Sequence, residues 1–171
     1  MKEAGHLFLV GFMGCGKSTV GSLLARRLDR PFYDLDQRIV EGAGRSIEQI
    51  FEEDGEKAFR ALESQALKDV AAHPPAVVAL GGGAFCRACN RKVVQSSGVS
   101  LWLQVPFQEM QRRIEKEGGR PLAGDARRLQ RLYRSRLPHY RQADLSVQTR
   151  GLTPSQVARA VLKALDQFDG C

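Results

Sequence analysis

The sequence predicts an α/β fold in which a five-stranded parallel sheet is flanked by helices on both faces. Segments with strand and helix character alternate along the chain, which is the order that builds a parallel sheet from strand–helix–strand units. The strand segments are short and largely apolar, as expected for strands that are buried on both faces. The chain has 171 residues, of which 43% are hydrophobic, and we see no repeats or linkers, so we expect one domain spanning residues 1–171.

The strands are predicted from short apolar runs bounded by glycine, proline and acidic residues. They cover residues 6–10, 31–34, 76–80, 99–105 and 145–147. The helices are predicted from apolar residues on one face and from helix start and stop signals. They cover residues 17–28, 36–40, a helix after Ser46 that breaks near Gly55, 56–72, 87–95, 106–117, a basic helix that ends at Leu137, and a last helix from Pro154.

Two capping boxes mark helix starts. In each box the first side chain caps an amide three residues further on, and a glutamine at that position reaches back. The first box pairs Ser46 with Gln49, and the second pairs Thr153 with Gln156. Pro154 then occupies the first helical position, where its missing N–H is not needed.

The formal net charge is +7 at pH 7. Basic residues occur as separated pairs with acids between them, such as Arg26/Arg27 and Arg112/Arg113, and not as one dense run. A nucleic-acid partner is the alternative explanation of a basic chain, but it favours a clustered patch. We therefore expect a site for two polyanions and no nucleic-acid partner.

The four cysteines are predicted to be free thiols in a reducing compartment. Cys86 and Cys89 have CxxC spacing, but zinc sites need a second pair or histidines at matching spacing, which the sequence lacks. No apolar run approaches the roughly 20 residues of a membrane span, and the first residues do not form a signal peptide. We expect a protein of the cytoplasm with no membrane partner.

The strongest motif is a phosphate-binding loop between the first strand and the first helix. From Gly11 to Ser18 it reads GFMGCGKS, which fits GxxxxGK[ST] in the strand–loop–helix context that this motif requires. Glycines let main-chain N–H groups point at a phosphate, and the helix N-terminus adds partial positive charge. Lys17 can reach the β- and γ-phosphates, and the Ser18 hydroxyl can bind Mg²⁺. A chance glycine-rich turn is the alternative, which the flanking strand and helix disfavour.

Two carboxylates, Asp34 and Asp36, follow at the end of the second predicted strand. In a parallel sheet the carboxyl ends of the strands face the ligand crevice. One carboxylate can hold Mg²⁺ opposite Ser18, and the other can bind and orient an acceptor hydroxyl. While the strand persists, alternation predicts that both side chains point the same way. The alternative is that Asp36 caps the helix that follows.

Arg60 and Arg136 are candidates to bind a carboxylate, because a guanidinium can pair with it through two hydrogen bonds. Glu63 lies three residues after Arg60, a helical spacing that can hold the guanidinium in place. Solvated positions on the surface are the alternative for both arginines.

Two glycine-rich segments complete the candidate site. Residues 118–125 read GGRPLAGD and predict a mobile lid, from which Arg120 can swing over the phosphates. Gly81, Gly82 and Gly83 follow the third predicted strand and allow a substrate to approach the backbone closely. The alternatives are an ordinary surface loop and a tight turn.

Together these motifs resemble the shikimate kinases of the aromatic amino-acid pathway. The resemblance runs from about Phe8 to the last helix and rests on the segments GFMGCGKST, DLD, GRSIEQIFEEDGEKAFR, GGG, GRPLAG and RLPHYR. It implies a P-loop NTPase fold of nucleoside-monophosphate-kinase type, with a substrate-binding segment at about residues 34–63 and a lid at about residues 114–126. It also implies ATP as co-substrate, one Mg²⁺ per subunit, and transfer of the γ-phosphoryl group to the 3-hydroxyl of shikimate.

The resemblance also implies a role for each matching residue. The residues implied to bind nucleotide are Gly14, Cys15, Gly16, Lys17, Ser18, Thr19, Arg113, Arg120 and Arg150. Those implied to bind shikimate are Asp36, Arg60, Gly82 and Arg136, and the metal ligands are Ser18 and Asp34. The catalytic set is Lys17, Asp36 and the lid residue Arg120. The lid departs from the usual RPLL at Ala123, which bears on its packing.

Two other functions are compatible with the phosphate loop. One is another small-metabolite kinase, such as a gluconate kinase or a nucleotide kinase, although two aspartates with two arginines favour a carboxylated polyol over a nucleotide as acceptor. The other is a non-catalytic, ATP-responsive module that binds nucleic acid or protein. We expect a monomer, because a closing lid requires no partner subunit.

Overall fold

A computed structural model describes residues 5–117 and 126–169 of the chain. Its strands are β1 (His6–Val10), β2 (Phe32–Asp34), β3 (Val77–Ala79), β4 (Gly98–Gln104) and β5 (Leu145–Gln148). They form one parallel sheet in the order β2-β3-β1-β4-β5. Every residue of β1 and of β3 is buried, so both faces of the sheet are covered. The predicted fold class is confirmed.

Helices connect the strands, and their starts carry the predicted signals. They are α1 (Lys17–Leu28), α2 (Leu35–Ala43), α3 (Ile47–Glu53), α4 (Gly55–Ala71), α5 (Ala88–Ser97), α6 (Phe107–Glu117), α7 (Ala126–Tyr140) and α8 (Pro154–Asp169), with a 3₁₀ helix at Ala84–Cys86. The capping box before α3 is confirmed, because the Ser46 hydroxyl accepts from the Gln49 N–H at 3.1 Å and the Gln49 side chain accepts from the Ser46 N–H at 2.8 Å. The box before α8 forms in the same way.

The register of the sheet places the candidate site at one edge. Asp34 at the end of β2 lies opposite Ala79 of β3, and Ala79 lies opposite Leu9 of β1. The three strands therefore end side by side. The segments that follow them emerge together, and these are the phosphate loop, the first turn of α2 and the triple glycine.

One helix end differs from the prediction. The proline at position 138 predicts an end at Leu137, but α7 continues through Pro138 to Tyr140. A proline in the last turn removes only its own hydrogen bond, and the Arg141 N–H still donates to the Leu137 oxygen at 3.1 Å. Tyr140 is 1% exposed, so the last turn is also held by burial of its ring.

Within the described ranges, no helix combines the length and the apolar character needed to cross a membrane. Cys15, Cys86 and Cys89 are free thiols, as predicted. Cys171 lies outside the described residues, as do Ala123 and most of the predicted lid.

Candidate active site

The carboxyl ends of β1, β2 and β3 open into one cleft of about 1500 Å³. Predicted site residues that line it are Gly14, Cys15, Gly16, Lys17, Ser18, Thr19, Asp34, Asp36, Arg60, Gly82, Arg113 and Arg136. Arg150 is exposed in the turn after β5, next to Thr149, which does line the cleft. Arg120 lies outside the described residues.

The phosphate loop turns sharply into α1 because two of its glycines adopt left-handed backbone angles. The φ angle is +72° at Gly14 and +92° at Gly16, a region that residues with a Cβ rarely adopt. Gly16 is the N-cap of α1, and no side chain caps this helix. The helix N-terminus therefore presents main-chain N–H groups and partial positive charge to the cleft, which suits a phosphate.

Lys17 is the first residue of α1, and its ammonium reaches back to the start of the phosphate loop. Its Nζ donates to the main-chain oxygens of Gly11 at 2.9 Å and of Phe12 at 3.0 Å. These contacts hold a positive charge beside the helix N-terminus. Cys15 is 2% exposed and packs in the core, and its N–H donates to the Phe12 oxygen at 3.3 Å, so it shapes the loop.

Asp34 ends β2 and at the same time caps α2. Its Oδ1 accepts from the N–H groups of Asp36 at 3.1 Å and of Gln37 at 3.4 Å. Its Oδ2 accepts from the Ser18 hydroxyl at 2.5 Å. The alternative that Asp36 is the cap is wrong, because Asp34 has that position. The two predicted metal ligands, Ser18 and Asp34, are brought into contact.

Asp36 lies in the first turn of α2 and not on a strand. Because β2 ends at Asp34, the strand does not persist to Asp36, and strand alternation does not align the two carboxylates. Both nevertheless line the cleft, since the helix begins immediately after the strand. A Cβ added at Gly81 would lie 2.7 Å from Asp36 Oδ1 and 3.0 Å from Glu63 Oε1. Two carboxylates therefore face one bare stretch of backbone.

Arg60 projects from α4 and is held by Glu63. Its Nη1 donates to the two carboxylate oxygens of Glu63 at 3.1 and 3.0 Å, which confirms the predicted pair. The side chains are 21% and 1% exposed, so Arg60 is not the solvated surface group of the alternative. Burial raises the pKa of Glu63, and the Arg60 guanidinium opposes that shift. A Cβ at Gly83 would lie 2.6 Å from Arg60 Nη1, so only glycine lets the guanidinium rest against this turn.

Arg136 projects from α7 toward the same turn. Its guanidinium lies over the Phe12 ring at 5.3 Å from the centroid, a cation–π contact with the residue after Gly11. A Cβ at Gly82 would lie 3.1 Å from Arg136 Nη1. The triple glycine is therefore a platform that two guanidinium groups approach, which is more than the tight turn of the alternative reading.

Arg113 of α6 lies on the other flank of the phosphate loop. Its guanidinium pairs with Glu109, one helical turn earlier, and its Nη1 donates to the Gly14 oxygen at 3.4 Å. A Cβ at Gly14 would lie 3.0 Å from Ile114 Cγ1, so α6 packs directly on the loop. This contact places Arg113 beside the segment predicted to bind nucleotide.

Several residues of the site are not predicted from the sequence. Phe12 lies under the Arg136 guanidinium but is distant from it in the chain. Tyr140 donates to the Gly82 oxygen but appears in the sequence as an ordinary aromatic residue. Arg128 and Arg131 line the cleft from α7. Arg128 and Arg131 are three residues apart and therefore neighbours on the helix surface, which is the signal that pairs them once the basic segment is treated as a single helix.

Proteins of known family resemble this chain in sequence and in structure. The family model described as shikimate kinase matches residues 13–166. A shikimate kinase of Synechococcus sp. (strain RCC307) is 46% identical over 164 residues, which is 94% of this chain and 84% of that relative. A solved shikimate kinase from Acinetobacter baumannii, in complex with shikimate, has a TM-score of 0.91 and 32% identity over 96% of this chain and 94% of that one. A gluconokinase from Sinorhizobium meliloti shares the fold, with a TM-score of 0.65 and 18% identity over 96% of this chain and 93% of that one.

Proposed function

The chain belongs to the shikimate kinase family, and we infer from this that it transfers the γ-phosphoryl group of ATP to a hydroxyl of shikimate. One observation connects this inference to the chain's own residues. The phosphate loop, Asp34, Asp36, Arg60 and Arg136 all line one cleft. We propose that the acceptor is the 3-hydroxyl, and that one part of the cleft binds nucleotide while the other binds the acid.

The nucleotide part is the phosphate loop with the first turn of α1. Main-chain N–H groups from Gly14 to Thr19 bind the terminal phosphates, supported by the uncapped helix N-terminus. Lys17 exchanges its contacts with two loop oxygens for phosphate oxygens and neutralises part of their charge. Arg113 and Arg150 are assigned to the adenine side by resemblance.

Ser18 and Asp34 are the residues that would hold one Mg²⁺ per subunit. The donor set fits this ion, since a hydroxyl and a carboxylate oxygen already meet at 2.5 Å and both are hard oxygen ligands. The second oxygen of Asp34 caps α2, which fixes the orientation of the carboxylate. An Mg²⁺ ion held there would supply positive charge that neutralises part of the charge on the phosphates.

Asp36 binds the acceptor hydroxyl and orients its oxygen toward the γ-phosphorus. The hydroxyl donates to the Asp36 carboxylate, which takes the proton as the new oxygen–phosphorus bond forms. The bond between the γ-phosphorus and the β,γ-bridging oxygen breaks, and ADP leaves with that oxygen. The first turn of α2 and the bare backbone at Gly81 hold this carboxylate at the cleft wall. Positioning is the larger part of its contribution, because an alcohol held in line with the phosphoryl group avoids the entropic cost of a chance encounter.

Arg60 and Arg136 hold the carboxylate of shikimate, with the backbone of Gly82 between them. Both guanidinium groups lie against the triple glycine, where an acid meets two positive charges. Glu63 is largely buried beneath Arg60 and fixes its direction, so that less side-chain freedom is lost on binding.

Arg120 is assigned by resemblance to the lid. It stabilises charge on the transferring phosphoryl group when the lid closes, and closure keeps water from the phosphate. Together with Lys17 and Asp36 it forms the catalytic set.

The chain is further proposed to act in the cytoplasm as a monomer whose partners are small molecules and not nucleic acid. Light scattering of the purified chain tests the oligomeric state. A mobility-shift titration with DNA and RNA at several salt concentrations tests the absence of a nucleic-acid partner.

A coupled assay of ADP release tests the function directly. The chain is supplied with Mg-ATP and, in separate reactions, shikimate, gluconate or a nucleoside monophosphate. We expect ADP release above the acceptor-free rate with shikimate alone. Faster turnover with gluconate, or no response to shikimate, would contradict the proposal.

A further inference from the structure

Tyr140, the last residue of α7, carries a buried hydroxyl to which the proposed chemistry gives no role. The residue is 1% exposed, and its ring centroid lies 6.0 Å from that of Trp102. Burial raises the pKa of the hydroxyl, so it keeps its proton and acts as a neutral hydrogen-bond donor.

This hydroxyl donates to the main-chain oxygen of Gly82 at 2.5 Å. Gly82 is the middle residue of the triple glycine, 58 positions before Tyr140 in the chain. The hydrogen bond therefore ties the end of α7 to the turn that follows β3.

Arg136 approaches the backbone of Gly82 from within the same helix. It lies one helical turn before Tyr140, on the same face, and its positive charge opposes the upward shift of the Tyr140 pKa. Its Nη1 is also 3.1 Å from the position of a Cβ on Gly82. The Tyr140 hydroxyl and the Arg136 guanidinium therefore both lie against the backbone of Gly82.

The end of α7 depends on such a side-chain contact because Pro138 lies in its last turn. Proline has no N–H, so this turn lacks one of its main-chain hydrogen bonds. The bond from Tyr140 to Gly82 fixes the last turn to the sheet edge, and Arg136 projects from the turn just before it.

We propose that Tyr140 is a positioning residue that holds Arg136 over Gly82 and thereby sets the affinity of the cleft for the carboxylate of shikimate. The proposal rests on the proposed function, since it takes Arg136 and Gly82 as part of the acid site. Tyr140 acts through Arg136 and not on the reacting atoms. Its hydroxyl therefore matters for the acid and not for ATP.

The test is Tyr140→Phe, which keeps the ring and removes the hydroxyl. We expect KM for shikimate to rise about threefold to tenfold, the effect of one buried hydrogen bond, while KM for ATP changes less than about twofold. Tyr133→Phe is the matched control, since Tyr133 lies on the same helix and its hydroxyl bonds to no residue that the structure describes. We expect both KM values of this control to stay within about twofold of the unsubstituted chain.

A double-mutant cycle tests whether the effect passes through Arg136. Arg136→Lys is measured with Tyr and with Phe at position 140, and we expect the combined rise in KM for shikimate to be smaller than the product of the two separate rises. The proposal is overturned by an unchanged KM for shikimate, an equal rise for ATP, a multiplicative cycle, or a Phe variant that no longer melts cooperatively above the assay temperature. In all these cases the unsubstituted chain still phosphorylates shikimate. If it does not, the proposed function fails instead.

Discussion

Replacing Gly81 with alanine tests whether the triple glycine makes room for Asp36. The added Cβ would lie 2.7 Å from Asp36 Oδ1 and 3.0 Å from Glu63 Oε1, whereas ordinary contacts begin at 3.4 Å. The Asp36 oxygen must therefore retreat by about 0.7 Å and the Glu63 oxygen by about 0.4 Å. Gly81 does not have a left-handed φ, so the substitution perturbs these side chains without straining its own backbone.

The size of the effect follows from these displacements. Glu63 is 1% exposed and paired with Arg60, so it has little space to move, and most of the adjustment falls on Asp36. A misplacement of reacting groups by about 1 Å costs on the order of a hundredfold in rate. We therefore expect Gly81→Ala to lower kcat for shikimate by roughly thirtyfold to a hundredfold, with KM for ATP nearly unchanged.

Steady-state kinetics of ADP release at saturating Mg-ATP measure the effect, with Gly42→Ala as the matched control. Gly42 lies in α2, and nothing is within 4 Å of the position of its added Cβ. The control should keep its kcat and gain about 0.5–1 kcal/mol in the free energy of unfolding from better helix propensity. A kcat for Gly81→Ala within about threefold of the unsubstituted chain would refute the reasoning, because Asp36 would then tolerate the displacement.

Other substitutions test the remaining parts of the cleft. Lys17→Met should lower kcat by at least about a hundredfold. The control Lys163→Met, on the exposed side of α8, should leave kcat unchanged. Equal losses in the two variants would contradict a role for Lys17 in binding phosphate. Asp36→Asn should cost at least about a hundredfold in kcat, and near-normal turnover would exclude Asp36 from the chemistry. Arg60→Lys should mainly raise KM for shikimate, because an ammonium cannot form the paired bonds of a guanidinium; an unchanged KM would leave Arg60 without a role in binding. The pKa of the Glu63 carboxyl is raised, so the folded chain binds the carboxyl proton more tightly than the unfolded chain does. The stability that this proton contributes is present at low pH and is lost as pH rises through the folded-state pKa. Urea unfolding between about pH 4 and pH 8 should show this loss in the unsubstituted chain and a flatter profile in Glu63→Gln, and parallel profiles would contradict it.

The parts of the site that the sequence predicts are those encoded by local patterns. The phosphate loop is recognisable because eight consecutive residues carry the whole motif, and the strand and helix around it are equally local. The capping boxes and the pair of Arg60 with Glu63 are likewise set by spacings of three residues within one helix. Predictions of this kind depend on chain geometry alone.

The parts that the sequence does not predict depend on contacts between distant segments. Asp36 faces Gly81 only because β2 ends two residues before it and the chain turns at once into α2. The support of Arg136 by Phe12 requires α7 to pack over the phosphate loop, a contact that no local pattern encodes. The proline in α7 suggests a helix end, and only the burial of Tyr140 in the assembled core explains why the helix continues.

The central claim is that one cleft presents a hydroxyl of shikimate to the γ-phosphate of ATP. Its most direct test is phosphorus NMR with mass spectrometry on a single reaction containing Mg-ATP and equal amounts of shikimate and gluconate. We expect one new phosphate ester, on the 3-oxygen of shikimate, in amounts equal to the ADP formed. ADP accompanied by free phosphate alone, or by an ester of gluconate, would contradict the claim.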